Sequence, residues 1–461
     1  MRISERLIRT TDAVRRAFVE FLTVPTLLIA AFVALALASY MVDRSAAAWL
    51  KPAREFLQSH IFSSPRATSD LLIAVASGII AVTSITITLL LIIAQQTAST
   101  MTAQVFDQFL RRKTNQLYLG FFIGLALYAL ITLATVNDPF NPIFGGTITF
   151  VLTFIALYLL ALLLYTTVNQ MRPVEIIEAI HEHILLARKR ELVAVRRTRR
   201  VSRFEGSISK QVKSEAHGYV TQIDLEKIGA CVGDEAEVIL LVSFGSFVAF
   251  GDALAVVKAN NAAGADLIGK TVFEAIDLDR QRDIDSDAGF GIEQLETIGW
   301  TSISSSKSNP APGIIVIHSL RDILARWSAE QRNGGDKELP IVYVDHTADK
   351  LLSAFETLAV VSSESMQHQN YIEVLAVFAA TFDRLPTEWQ ARAEDLILRI
   401  LSVMGDHALT RELDQALSSL ADKLESAGSS ATAVAVRGAG EQLSLSVGVL
   451  NSRATRVSAN G

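Results

Sequence analysis

Seven carboxylates crowd residues 277–296, namely Asp277, Asp279, Asp283, Asp285, Asp287, Glu293 and Glu296, and Arg280 and Arg282 stand among them. Asp283-x-Asp285-x-Asp287 opens like a calcium loop. Such a loop needs glycine sixth and glutamate twelfth, and here those places hold Ala288 and Gln294. A helix start explains the acidic run better, because negative side chains favour the first turn, and Ile292, Leu295, Ile298 and Gly299 follow at helical spacing. Arg280 and Arg282 can pair with the same aspartates. Ser304 and Lys307 have the Ser-x-x-Lys spacing of an acyl-transfer nucleophile, without the Lys-Thr-Gly or Ser-Asp-Asn partners of that chemistry. His181 and His183 point to different sides of a helix, and His318, His346, His368 and His407 are scattered. Cys231 is the single cysteine, so no intramolecular disulfide forms; it lies in an apolar stretch that suits a buried, inert thiol. The sequence therefore gives no catalytic set, no metal site and no cofactor.

A second group is hydroxylic. Ser77, Ser84 and Thr88 share roughly one face of a helix within an uncharged run. In an oligomer they could line a polar path. More commonly, such hydroxyls bond back to their own helix or join neighbouring ones.

These residues are carried by elements that the charge pattern delimits. No charged residue occurs in 21–42, 71–106, 114–137 or 139–171, and each run supplies the roughly 20 helical residues that cross about 30 Å of hydrocarbon. The expected fold class is an α-helical membrane protein with four transmembrane helices and a cytoplasmic α+β region. The flanks set the orientation. Residues 172–203 hold nine Arg or Lys against four Glu, the start of the chain is basic, and Arg111, Arg112 and Lys113 follow the second run. The loop 43–70 is mixed, with Arg44, Lys51, Arg54 and Arg66 against Asp43, Glu55 and Asp70. Positive-inside counting places both termini in the cytoplasm. With a formal net charge of −6 over 461 residues, the chain lacks the basic excess that nucleic-acid binding demands. The spans contain no ionisable group, which argues against a proton-driven pump. Gly120 and Gly124 form a small-xxx-small face for close packing.

The pattern divides the chain into an N-terminal segment 1–20, a membrane domain 21–172, an amphipathic and basic connector 173–206, a β module 207–260, a mainly helical domain 261–426 and a flexible tail 427–461. In the connector, Ile177, Ile180, Ile184 and Leu185 recur at helical spacing, and Arg188-Lys189-Arg190 begins a basic end that reads as an ordinary positive-inside flank on a helical connector or as a surface for anionic headgroups. Short β runs with glycine turns at Gly218, Gly245 and Gly251 look like a barrel-sandwich hybrid of the biotinyl and lipoyl kind, without a lysine for cofactor attachment.

Several motifs resemble the DUF2254 family of predicted bacterial inner-membrane proteins. Thr86-Ile87-Thr88 through Gln95-Gln96-Thr97-Ala98-Ser99, Gly120-Phe121 and Tyr128-Ala129-Leu130 match its second and third spans. Arg280, Arg282, Asp287, Phe290-Gly291-Ile292 and Gln294-Leu295 match its soluble motif, and Ser304 and Asn309 fall in the loop after it. That loop departs from the family at Thr301, Ser304-Ser305 and Ser308-Asn309, where arginine, Ser-Pro and Asn-Asp are usual. The resemblance covers about residues 15–425. It implies an inner-membrane protein with a large cytoplasmic region and makes Arg280, Arg282, Asp287, Ser304 and Asn309 the soluble residues of interest. Membrane lipids and a second copy of the chain are the expected partners. Two functions are expected: a channel-like or transport-associated oligomer with a cytoplasmic gate, or a membrane-anchored scaffold or sensor for a cytoplasmic partner or small ligand.

Overall fold

The computed structural model describes residues 22–45, 48–100, 113–170, 172–205, 208–233, 235–304, 309–330, 338–405 and 407–446. The basic start of the chain, Asp107 to Arg112, Ser305 to Ser308 and the residues from 447 onward lie outside them. The chain divides into two compact units, Met1–Arg172 and Pro173–Gly461.

The first unit holds four helices long and apolar enough to cross a membrane: α1 (Thr23–Arg44), α3 (Pro65–Thr100), α4 (Lys113–Thr135) and α5 (Ile143–Gln170). A shorter helix, α2 (Lys51–His60), joins α1 to α3. The core gathers around α4, where Tyr118, Phe122, Leu125 and Tyr128 meet Phe32, Ile79 and Leu163. Gly120 and Gly124 bring α4 against α1. A Cβ on Gly120 would fall 2.8 Å from the Pro25 backbone, and one on Gly124 only 2.4 Å from the Phe32 ring. At the end of the unit that holds the α1–α3 connection, the Asp43 carboxylate accepts the Phe144 and Gly145 amides at 2.9 Å each. A side chain from α1 thereby satisfies the open amides that begin α5.

The second unit opens with α6 (Pro173–Arg197), which buries Ile177, Ile180 and Ile184 on one face. Strands follow as β1 (Ile208–Lys213) and β2 (Gly218–Ile223), then helix α7 (Leu225–Val232). Next come β3 (Ala236–Leu240), β4 (Phe247–Val248), β5 (Ala253–Ala259), α8 (Ala262–Glu274) and β6 (Ile276–Asp279). Asp224 and Asn261 cap α7 and α8 by accepting the Lys227 and Gly264 amides. Helix α9 (Ala288–Ser304) and α10 (Ala311–Ser328) precede β7 (Ile341–Val342). The remaining helices are α11 (Thr347–Glu364), α12 (His368–Thr381), α13 (Thr387–Ser402), α14 (Arg411–Ser426) and α15 (Ser430–Ser446).

The β region corrects the barrel-sandwich expectation. Its strands form two open sheets, one ordered β1-β5-β3-β7 and one ordered β4-β2-β6, with no closed barrel-like sheet among the described residues. Two contributions from outside 207–260 decide the difference. β6 pairs with β2, and β7 adds to β3 in parallel from about a hundred residues downstream. Ile228 and Val232 of α7 and Ile268 and Val272 of α8 join the sheet core, so helices cover what a second sheet layer would cover in a sandwich. The segment expected to be a flexible tail contains α15. Its Ala433 and Val436 are fully buried, and Ser429 and Thr432 donate hydroxyls to Glu394 at its start. Small side chains let this helix lie close to its neighbours, which is why the composition reads as coreless.

Candidate functional site: a buried ionic cluster

Helix α6 carries charge into the interior of its unit. Ile177, Ile180 and Ile184 set a stripe, and Arg188, Glu191 and Ala194 continue it at the same three- and four-residue spacing, all buried. Arg188 is 1% exposed. Its Nη2 lies 2.9 Å from an Asp345 carboxylate oxygen and 3.0 Å from Glu330, and its Nη1 lies 3.5 Å from Glu191. The guanidinium also sits 4.8 Å from the centre of the Trp327 ring. The expectation that Arg188 belongs to a headgroup-facing basic flank is therefore overturned. Its basic neighbours are engaged too: Arg197 pairs with Glu226, Arg199 with Glu237 and Arg200 with Glu388.

Glu191 links this group to α9. One carboxylate oxygen accepts the Ala288 amide at 2.9 Å, at the positive end of that helix. The other lies buried with no hydrogen-bond donor and only the 3.5 Å approach of Arg188. Burial pushes the Glu191 carboxyl up to about 7, with Asp287 and Asp345 adding to the effect and Ala288 and Arg188 opposing it. Burial also raises Glu330. Asp345 is buried as well, yet the Arg188 guanidinium holds it below the ordinary carboxylate range. Burial raises the Tyr343 phenol, and the Glu191 and Asp345 charges reinforce it.

Beside this lies a second set. Arg282 Nε donates to Asp287 at 2.7 Å, Arg282 also pairs with Glu293, and Lys350 reaches Glu293 at 2.9 Å. Asp287 caps α9 by accepting the Phe290 amide at 2.9 Å. Arg282 lies over the Phe290 ring, 4.5 Å from its centre. Gly245 has φ +75°, and a Cβ there would fall 1.9 Å from the Asp287 carboxylate. The turn at Gly245 thus closes directly over the Arg282–Asp287 pair. Gly291 is constrained similarly, since a Cβ would meet Ile184 of α6 at 2.3 Å.

Of the residues singled out in the sequence, Arg282 and Asp287 come together here. Arg280 is exposed, and its amide bonds to Asp279. Ser304 and Asn309 lie at the other end of α9, about 25 Å away along a helix of 17 residues. Ser304 donates to the Thr301 carbonyl, and the Asn309 side chain accepts the Ala311 amide. In the first unit Ser77, Ser84 and Thr88 are all on the exposed side of α3. Ser84 and Thr88 donate to the Ile80 and Ser84 carbonyls of their own helix at 3.0 and 2.9 Å.

Sequence reasoning missed Arg188, Glu191, Glu330 and Asp345. The signal was present for two of them, because positions 188 and 191 stand in register with the apolar stripe. It also missed two polar clips. His181 bonds Ser319 at 2.8 Å and Asp322 at 3.1 Å, joining α6 to α10. Ser319 lies mid-helix, so this clip fastens the middle of α10 to α6. His368 and His407 meet at 2.5 Å between their Nδ1 atoms. Among the described residues no three His, Cys, Asp or Glu side chains group so as to hold a metal ion.

The soluble motif, with Arg282, Asp287 and Gly291 each given a packing or pairing role, leads to the comparison with known families. The family described as "Predicted membrane protein (DUF2254)" matches residues 19–378. The chain belongs to the DUF2254 family. It is a multi-pass membrane protein of this predicted bacterial inner-membrane family, and the match runs from the first span through the ionic cluster into α12. Comparison with curated proteins finds no match, and comparison with solved structures finds none. The DUF2254 motif residues thus take their physical meaning from the geometry above.

Proposed function

We propose that this protein is a membrane-anchored sensor or scaffold whose cytoplasmic unit presents a partner-binding surface under the control of the α6–α9 contact. One observation carries the reading: a single guanidinium, Arg188, faces three carboxylates in a buried site, and one of them, Glu191, holds the start of α9. Three negative charges around one positive charge are costly in a low-dielectric interior, so the site favours keeping a proton. The groups that face Glu191 are Arg188 on its own helix, Asp287 and the Ala288 amide at the start of α9, and Tyr343 and Asp345 after β7.

The direction with pH follows from linkage. A carboxyl raised from about 4.5 to about 7 stabilises the docked state fully below the lower value. That contribution is lost as pH rises through the upper one. Asp345, held low, works in the opposite sense: its stabilisation is present above the ordinary carboxylate range and is lost only as pH falls below it. In sequence α6 is the element of this unit that follows the fourth span. The basic flanks of 172–203 support a cytoplasmic placement for this unit and both termini.

Hydrogen exchange of α6 and α9 between pH 5 and pH 8 tests the reading, using the full chain in nanodiscs. Protection should fall toward pH 8 in the wild type and stay level in Glu191→Gln, which keeps the acceptor for Ala288 without the charge. A wild-type profile as level as that of Glu191→Gln would sink it.

The competing reading is an oligomeric channel. Its support is that Ser77, Ser84 and Thr88 face outward, where a second copy could meet them. The bonds of Ser84 and Thr88 to their own helix favour the anchor. A Ser84→Leu variant separates the two, since altered ion flux belongs to the channel and unchanged pH-dependent exchange to the sensor.

A further inference from the structure

The connection between α1 and α3 is built unlike a solvent-facing loop. Its most exposed large apolar side chains among the described residues are Trp49, at 80% exposure, and Phe56, at 61%. The short turn Ala48–Leu50 runs into α2, so the two aromatics, seven residues apart, lie on the same helical face. His60 extends that face by stacking on Phe56, with ring centres 4.5 Å apart.

A different face holds the segment to the bundle. Arg54 donates to the Asp43 carbonyl at 2.6 Å and lies over the Phe144 ring. Phe62, just beyond α2, is buried, and a Cβ on Gly146 of α5 would fall 2.8 Å from its ring. The Asn141 side chain donates to the Phe62 carbonyl at 3.1 Å. Both anchor points are ends of membrane-spanning helices, so α2 is fixed at the level where those helices leave the hydrocarbon. Met41, near the end of α1, is also exposed. In the same segment Arg44, Lys51 and Arg66 are exposed, with Glu55 and Asp70 as the exposed acidic side chains.

We propose that residues 48–60 form an interfacial anchor that beds Trp49 and Phe56 into the boundary between lipid headgroups and acyl chains, with the surrounding basic side chains meeting lipid phosphates. Three observations carry it: the strip is apolar and aromatic, it faces away from the bundle, and it is pinned to the ends of spans. Aromatic side chains with a polar edge favour that boundary, and amphipathic helices lie within it. The helix would fix the depth of α1 and α3 in the bilayer. A second copy of the chain and bulk water are the other possible neighbours of the strip.

The test uses the full chain reconstituted in phosphatidylcholine–phosphatidylglycerol vesicles whose acyl chains carry bromine at shallow or deep positions. Trp49 is one of four tryptophans, and the other three lie in the Pro173–Gly461 unit. The difference between wild type and Trp49→Phe therefore isolates its emission. Shallow bromine should quench that difference emission more than deep bromine. Adding Phe56→Trp to the Trp49→Phe variant should restore a quenchable signal. Quenching by aqueous iodide in place of bromolipid would place the strip in water. Shielding from both quenchers would place it against another protein copy. Either result overturns the proposal.

Discussion

Arg188 shows how much the interior of the second unit depends on single side chains. Removing it leaves the buried Glu191 and the partly buried Glu330 and Asp345 without their shared cation, and breaking a buried pair from one side costs about 3–5 kcal/mol. Arg188→Met should therefore lower the thermal midpoint of this unit far more than Arg200→Met, whose side chain pairs with Glu388 at the surface. Equal midpoints for the two variants would contradict the structural role given to the cluster. Gly245 makes a sharper demand. A methyl group there collides with the Asp287 carboxylate and meets a positive φ, so Gly245→Ala should destabilise the unit by about 1–3 kcal/mol in denaturant melts. At this scale Arg282 and Asp287 were legible from their types and spacing. Glu330 and Asp345 were not, because their pairing depends on a fold that brings segments over a hundred residues apart to α6.

At the scale of elements, periodicity served the helices well and the sheets poorly. The helical spacing of Ile177, Ile180 and Ile184 falls on α6 and that of Ile292, Leu295 and Ile298 on α9, since each helix buries one stripe against its neighbours. The strands were also visible, but their partners were not. β7 is two residues long and carries no pattern that announces a parallel pairing with β3. Local sequence specifies a strand and leaves open which edge it joins, and that is where the barrel expectation failed. Helix packing in the first unit gives a direct prediction. Gly124→Leu would drive a branched side chain into Phe32, separating α4 from α1. The variant should melt well below wild type in detergent, whereas Gly78→Leu, which has open space around it, should melt near it. Loss of the Asp43 cap in Asp43→Ala should loosen the start of α5, read as faster exchange at the Phe144 and Gly145 amides.

For the whole molecule, the four uncharged runs were enough to define the membrane unit, because hydrocarbon thickness leaves little freedom in length or composition. Function is less legible. The chemistry of the second unit lies in a cluster assembled from α6, α9 and the segments after α10 and β7, and no local motif contains it. The central claim is that Glu191 takes up and releases its proton around neutral pH. Infrared difference spectroscopy of the full chain in nanodiscs tests this directly through the carbonyl band of a protonated carboxyl. We predict a band that is present at pH 6, disappears by pH 8 and is missing from Glu191→Gln at both. A band unchanged by Glu191→Gln, or no titrating band between those values, would contradict the account.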